Sequence, residues 1–227
     1  MKIFLNFILR QWLVFLVLLL AVSWVLLFPA WADWVVKPPL DEPISLAPKG
    51  SIRKNIQIVI PENYQLDLVF DRHGVPFEEM KNLMGGWGYK DGAPISSGVK
   101  VPLRWSLHST DGVLVVSGEA EGFGAVSWSA NEVHRNFGRI QVKPGNYIFA
   151  AEVLHNIPEI SHVNTRVKFS LHPKAASTWQ MTVVWWGRIV GVLFVWPLIL
   201  VFVGFLLFRL WKDALFLNDE QNSKIAK

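Results

Sequence analysis

PGNYIFAAEVLHNIPEISHVNTRVKFSLH, from Pro144 to His172, is the stretch that decides the fold class. After Pro144-Gly145, the residues Tyr147, Phe149, Ala151 and Val153 fall on one side of an extended segment, with Ile148, Ala150 and Leu154 on the other. Apolar residues on both faces mark a central strand. Asn156-Ile157-Pro158 turns the chain, since proline lacks the backbone donor and disfavours helix in the residue before it. Val163, Thr165, Val167, Phe169 and Leu171 then alternate with Asn164, Arg166, Lys168, Ser170 and His172, the period of two of a half-buried strand.

The same period recurs upstream. Ile56, Ile58 and Ile60 share a face, and Tyr64, Leu66, Leu68 and Phe70 oppose Gln65, Asp67 and Asp71. Val99, Val101, Leu103, Trp105 and Leu107 oppose Lys100, Pro102, Arg104, Ser106 and His108; Pro102 places this strand at an edge or on a bulge. Asp111-Gly112 turns it into Val113–Ser117. The one helical segment is Pro76–Met84, with Pro76 suited to a first turn, Glu78 and Glu79 favouring the positive end of the helix, and Met80, Leu83 and Met84 on one side. About seven short strands separated by glycine and proline turns predict a mainly β fold, an immunoglobulin-like β-sandwich.

Further outward the chain changes character. Arg10 and Asp33 enclose an uncharged apolar run, and Ile189–Phe208 is uncharged for 20 residues with Pro197 inside it. At about 1.5 Å per residue each run spans roughly 30 Å, the hydrocarbon thickness of a bilayer. The first run has a rival reading as a signal peptide cleaved after Ala30-Trp31-Ala32; its length favours a retained anchor, because signal peptides carry about 7–15 apolar residues. Lys2 and Arg10 precede the first run and Arg209, Lys212, Lys224 and Lys227 follow the second, so the positive-inside rule puts both ends in the cytoplasm. In a bacterium the middle is then periplasmic.

The expected organisation is a cytoplasmic N-terminus (1–11), a transmembrane helix (12–32), a proline-rich tether (33–49), a periplasmic β-sandwich (50–174), a juxtamembrane connection (175–188), a second transmembrane helix (189–208) and a cytoplasmic tail (209–227). Trp31, Trp34, Trp185 and Trp186 are expected at the outer membrane–water interface, where Arg188 reaches its charged head to water. Gly187 and Gly191, four residues apart, form a small-residue face for packing against another helix, either the first span near Ala21 or a second copy.

The net charge of +4 does not describe a basic surface. From Asp33 to Trp186 there are 15 basic and 15 acidic residues, and the surplus lies in the flanks, which removes the electrostatic footprint of nucleic-acid binding. With no cysteine, disulfides and thiolate chemistry are excluded. The six histidines show no metal-ligand spacing, and no serine lies in a GxSxG turn. No metal, cofactor or catalytic residue is therefore expected. The local feature that stands out is Met84 to Gly98, five glycines in fifteen residues around Trp87 and Tyr89. Trp87, Tyr89 and Lys90 are the expected partner-binding residues, an aromatic loop carried on a rigid scaffold, with Trp87 folded back on the core as the competing reading.

Val142-Lys-Pro-Gly-Asn-Tyr-Ile-Phe-Ala-Ala-Glu-Val-Leu-His-Asn-Ile-Pro-Glu-Ile160 resembles an uncharacterised family of bacterial envelope β-sandwich proteins, over roughly Ile52 to His172. The resemblance implies no activity. It implies a link to antibacterial secretion and self-protection, and the paired spans resemble those of inner-membrane-anchored immunity proteins. The expected function is non-enzymatic: binding of a periplasmic protein partner, such as a toxin to be neutralised. The alternative is a structural or regulatory accessory subunit of an envelope complex, with association between copies of the chain left open.

Overall fold

The computed structural model describes residues 12–85, 89–90, 93–94, 98–122 and 127–225, of which 89–90, 93–94 and 213–225 are described as backbone alone. The chain divides into two compact units: Val35–Trp179, and Met1–Trp34 with Gln180–Lys227.

Among the described residues, the first unit is a sandwich of nine strands in two antiparallel sheets. Its elements are β1 (Leu40–Pro43), β2 (Ser51–Ile58), β3 (Glu62–Asp71), helix α2 (Phe77–Met84), β4 (Tyr89–Lys90), β5 (Ala93–Pro94), β6 (Val101–Ser109), β7 (Leu114–Gly122), β8 (Ser127–Trp128), β9 (Glu132–Val142), β10 (Gly145–Val153), a 3-10 turn (Pro158–Ile160) and β11 (Thr165–Leu171). One sheet has the order β1-β11-β3-β9-β8 and the other β2-β10-β6-β7; β4 and β5 form a separate two-stranded hairpin. The period of two does the folding. Tyr64, Leu66, Leu68 and Phe70 of β3 face Ile56, Leu103, Leu107 and Phe149 of the other sheet in one buried cluster. Phe169 stacks on Phe149 at 5.8 Å and on Tyr64 at 5.3 Å, joining the sheets at the centre. Each such side chain contributes roughly 1.5–3 kcal/mol by leaving water.

The central position expected for β10 is found, between β2 and β6. Other expectations are revised. The sandwich has nine strands rather than about seven. The segment read as a proline-rich tether contains β1, which pairs with β11 from Leu40↔Phe169 to Pro43↔Arg166 and buries Leu40, Ile44 and Leu46. Proline is tolerated there because β1 is an edge strand. β9 escapes a reading by alternation because the fully buried Arg135 occupies an inward position and the register shifts between Leu66 and Asp67. β6 is an interior strand, not an edge, and its bulge lies at Leu107/His108. Pro102 precedes the last β10 pair, Leu103↔Val153, so no ladder bond to β10 requires its missing donor.

The second unit is helical. Helix α1 runs Trp12–Val36; helix α3 (Trp179–Val190), a π turn (Gly191–Val195) and helix α4 (Trp196–Ile225) follow the sandwich. Trp12–Val36 and Trp179–Lys212 are each long and apolar enough to cross a membrane. The expected juxtamembrane connection is thus helical from Trp179 onward. The π turn ends just before Pro197, whose missing N–H and ring prevent a regular hydrogen bond at that point.

Candidate functional site

One end of the sandwich gathers the residues with the chemistry of recognition. There β3 ends at Asp71, α2 runs from Phe77 to Met84, and β7 ends at Gly122. The Arg72 guanidinium lies 5.2 Å from the Phe77 ring centroid and 5.8 Å from that of Trp128, and its Nη1 donates to the Ser129 carbonyl at 2.7 Å. The two rings are 5.5 Å apart, and Phe77 remains 50% exposed. Beside them the His73 ring meets the Asp71 carboxylate at 2.6 Å. Hydrogen bonds from the His73 backbone N–H and ring hold the Asp71 carboxyl below the usual carboxylate range. Arginine flanked by tryptophan and phenylalanine is the composition that dominates protein interfaces. Sequence reading missed this group because Trp128 is far in the chain from Arg72 and Phe77, whose own proximity is an ordinary local signal.

The neck of the glycine-rich loop lies at the same end. Val99 N–H donates to the Leu83 carbonyl at 2.7 Å, so the chain returns to its starting point. Arg135 secures this closure: its Nη2 donates to the Leu83 and Met84 carbonyls at 3.1 and 2.9 Å, and its Nη1 donates to the Val99 carbonyl. Its guanidinium sits 5.5 Å from the Phe70 centroid, wholly buried, and burial pulls its pKa down to about 10. Gly98 has φ +60°, and a Cβ there would lie 2.5 Å from Met84 and Gly85 backbone atoms. Trp87 lies outside the described residues. Tyr89 and Lys90 are described as backbone only, paired with Pro94 and Ala93 in the β4–β5 hairpin.

The outer face of the five-stranded sheet carries a connected set of charges. Asp67, 1% exposed, accepts from Asn136 Nδ2 at 2.9 Å and from Gln65, while His134 Nε2 lies 3.2 Å from Glu132 and its Nδ1 3.8 Å from Asp67. Arg166 bridges Glu132 to Asp41, the latter at 2.6 Å. This network roofs Val69, which is 1% exposed on that face. Among the described residues no three His, Asp or Glu side chains are grouped to hold a metal ion. His108 lies in β6 of one sheet and His172 just after β11 of the other, and Glu119 and Glu121 are paired with Arg104 and Lys100 at 2.9 Å each.

Within the helical unit, Gly187 faces the Phe28 ring so closely that a side chain there would collide with it, and Gly191 lies beside Trp24. Trp24 and Phe28 stack at 4.8 Å. Arg188 Nη2 donates to Asp33 Oδ1 at 3.0 Å in an exposed pair. Trp34, Trp185 and Trp186 are more than half exposed, and Trp31 is half-buried.

A β-sandwich flanked in sequence by two helices of membrane-spanning length is compatible with a membrane protein. The domain of unknown function DUF5625 matches residues 41–171, more than half of the chain, and the chain belongs to that family. It is similar to a crystal structure of a protein from Sulfurospirillum deleyianum, with 18% identity and a TM-score of 0.49, over 60% of this chain and 98% of that one. No curated protein matches the chain.

Proposed function

We propose that this protein anchors a β-sandwich at the periplasmic face of the bacterial inner membrane, with both termini cytoplasmic, and that the sandwich binds a protein partner without catalysing a reaction. The carrying observation is the Arg72–Phe77–Trp128 group beside a loop neck held by Arg135: an exposed Phe77 backed by a half-buried arginine and tryptophan on a rigid support. The orientation rests on the basic residues outside the apolar runs. A toxin neutralised in the periplasm is the version of this reading raised by the family resemblance.

Photocrosslinking in intact cells tests it, with a photoreactive residue at Phe77, another at Trp87 and a third at Gly191. Capture of one soluble periplasmic or secreted protein at Phe77 or Trp87 supports partner binding, and rescue of cells from that protein by the full chain supports neutralisation. Capture at Gly191 alone, of integral membrane proteins, replaces this reading with that of a membrane-assembled accessory subunit.

A further inference from the structure

The strand registers put four connections at the end of the sandwich opposite Arg72. Gly145 pairs with Ile58, Glu62 with Val142, Leu171 with Tyr64, and Ser109 with Tyr147, so the β2–β3, β9–β10 and β6–β7 turns and the exit from β11 lie together. Leu40 pairs with Phe169, so the chain also enters at this end. Both covalent connections to the apolar helices therefore leave from the end that carries the β6–β7 turn.

That turn has no core of its own. Val113, Leu114 and Val115 are 62%, 53% and 48% exposed, a contiguous apolar tip after Asp111-Gly112. Three exposed lysines lie in the neighbouring segments: Lys37 before β1, Lys143 in the β9–β10 turn and Lys174 after β11. Against them stand Asp111 at the turn and Glu62, which is buried and engaged by Ser177 and Thr178. An apolar tip with a cationic surround is the surface that a bilayer with anionic headgroups accepts, because aliphatic side chains enter the interface while lysines remain at headgroup level.

We propose that the β6–β7 turn is a third membrane contact: Val113, Leu114 and Val115 insert into the outer face of the bilayer, and Lys37, Lys143 and Lys174 lie on anionic phospholipid headgroups. The inference rests on the reading of the apolar helices as membrane spans. It explains why an exported domain keeps three large aliphatic residues uncovered at a turn residue and the first two residues of the edge strand β7.

The chain contains no cysteine, so single labels are straightforward. The full chain carrying Leu114→Cys, His73→Cys or Leu200→Cys is labelled with an environment-sensitive fluorophore. Each is reconstituted into vesicles of phosphatidylethanolamine and phosphatidylglycerol containing a doxyl-quencher lipid. The expected result is strong quenching at Leu200, several-fold more quenching at Leu114 than at His73, and a loss of the Leu114 signal when Lys143→Glu and Lys174→Glu are added. Quenching at Leu200 without excess quenching at Leu114 overturns the proposal and leaves the membrane reading standing. Absence of quenching at Leu200 overturns the membrane reading itself. A blue-shifted but unquenched label at Leu114 means that a second copy covers the tip, and also overturns the proposal.

Discussion

Arg135 brings a positive charge into the interior and meets carbonyl oxygens there. Burying a guanidinium is costly, and the three carbonyl partners recover part of that cost by lending their dipoles. Arg135→Ala is expected to lower unfolding free energy by about 3 kcal/mol, read by urea denaturation, since it leaves three acceptors and a void. Tyr64 is a second buried polar anchor, 2% exposed, with its hydroxyl donating to the Ile60 carbonyl at 3.1 Å. Burial, with the nearby Glu62 charge adding to it, raises its pKa to about 12 from 10.0. The folded state therefore holds this proton where the unfolded state has released it. The associated stability is complete below pH 10 and declines as pH rises toward 12, about 3 kcal/mol in all. Tyr64→Phe is expected to flatten this alkaline decline in thermal melts taken from pH 9 upward, while costing about 1 kcal/mol at neutral pH through the lost hydrogen bond.

At the scale of elements, the helix–loop module between β3 and β6 is held by its neck more than by its length. Met80 and Met84 are buried in the core, but α2 has only eight residues and is too short to persist alone. Gly98→Ala combines a positive φ with backbone overlap at 2.5 Å, and is expected to open the neck and lower stability by about 2 kcal/mol. Hydrogen exchange at residues 77–84 should then accelerate more than at β3 or β10. In the β6–β7 hairpin, the Trp105 ring lies over Gly118, directly opposite in the ladder, and a Cβ at Gly118 would sit 2.6 Å from it. Gly118→Val is expected to displace Trp105, visible as a change in tryptophan fluorescence together with a loss of about 2 kcal/mol.

At the scale of the whole molecule, strand length sets the distance between the two ends of the sandwich. β3, β6, β9 and β10 each run nine to eleven residues, about 30 Å between the end that connects to the helices and the end that carries Arg72, Phe77 and Trp128. Glu62 ties off the first end: its carboxylate accepts from Ser177 N–H at 2.5 Å and Thr178 N–H at 3.1 Å, so the chain leaving β11 is fixed to the sandwich. Glu62→Ala is expected to expose this segment to proteolysis before the sandwich itself unfolds. If the partner is recognised by the sandwich, exchanging both apolar helices for unrelated ones should preserve its capture at Phe77. Loss of capture would assign recognition to the helices.

The amino-acid sequence determined the apolar ends, the two-residue period of the strands and the mainly β class, because burial of alternate residues and a 20-residue uncharged run are local properties. Tertiary structure decided what local pattern conceals. β1 lies in a proline-rich stretch and is a strand only because β11 offers it an edge. β9 breaks its alternation with Arg135, an inward charge that makes sense only beside the carbonyls of Leu83, Met84 and Val99. The Arg72–Phe77–Trp128 group and the shared end of Val113, Lys143 and Lys174 are products of topology, joining residues that no sequence window contains together.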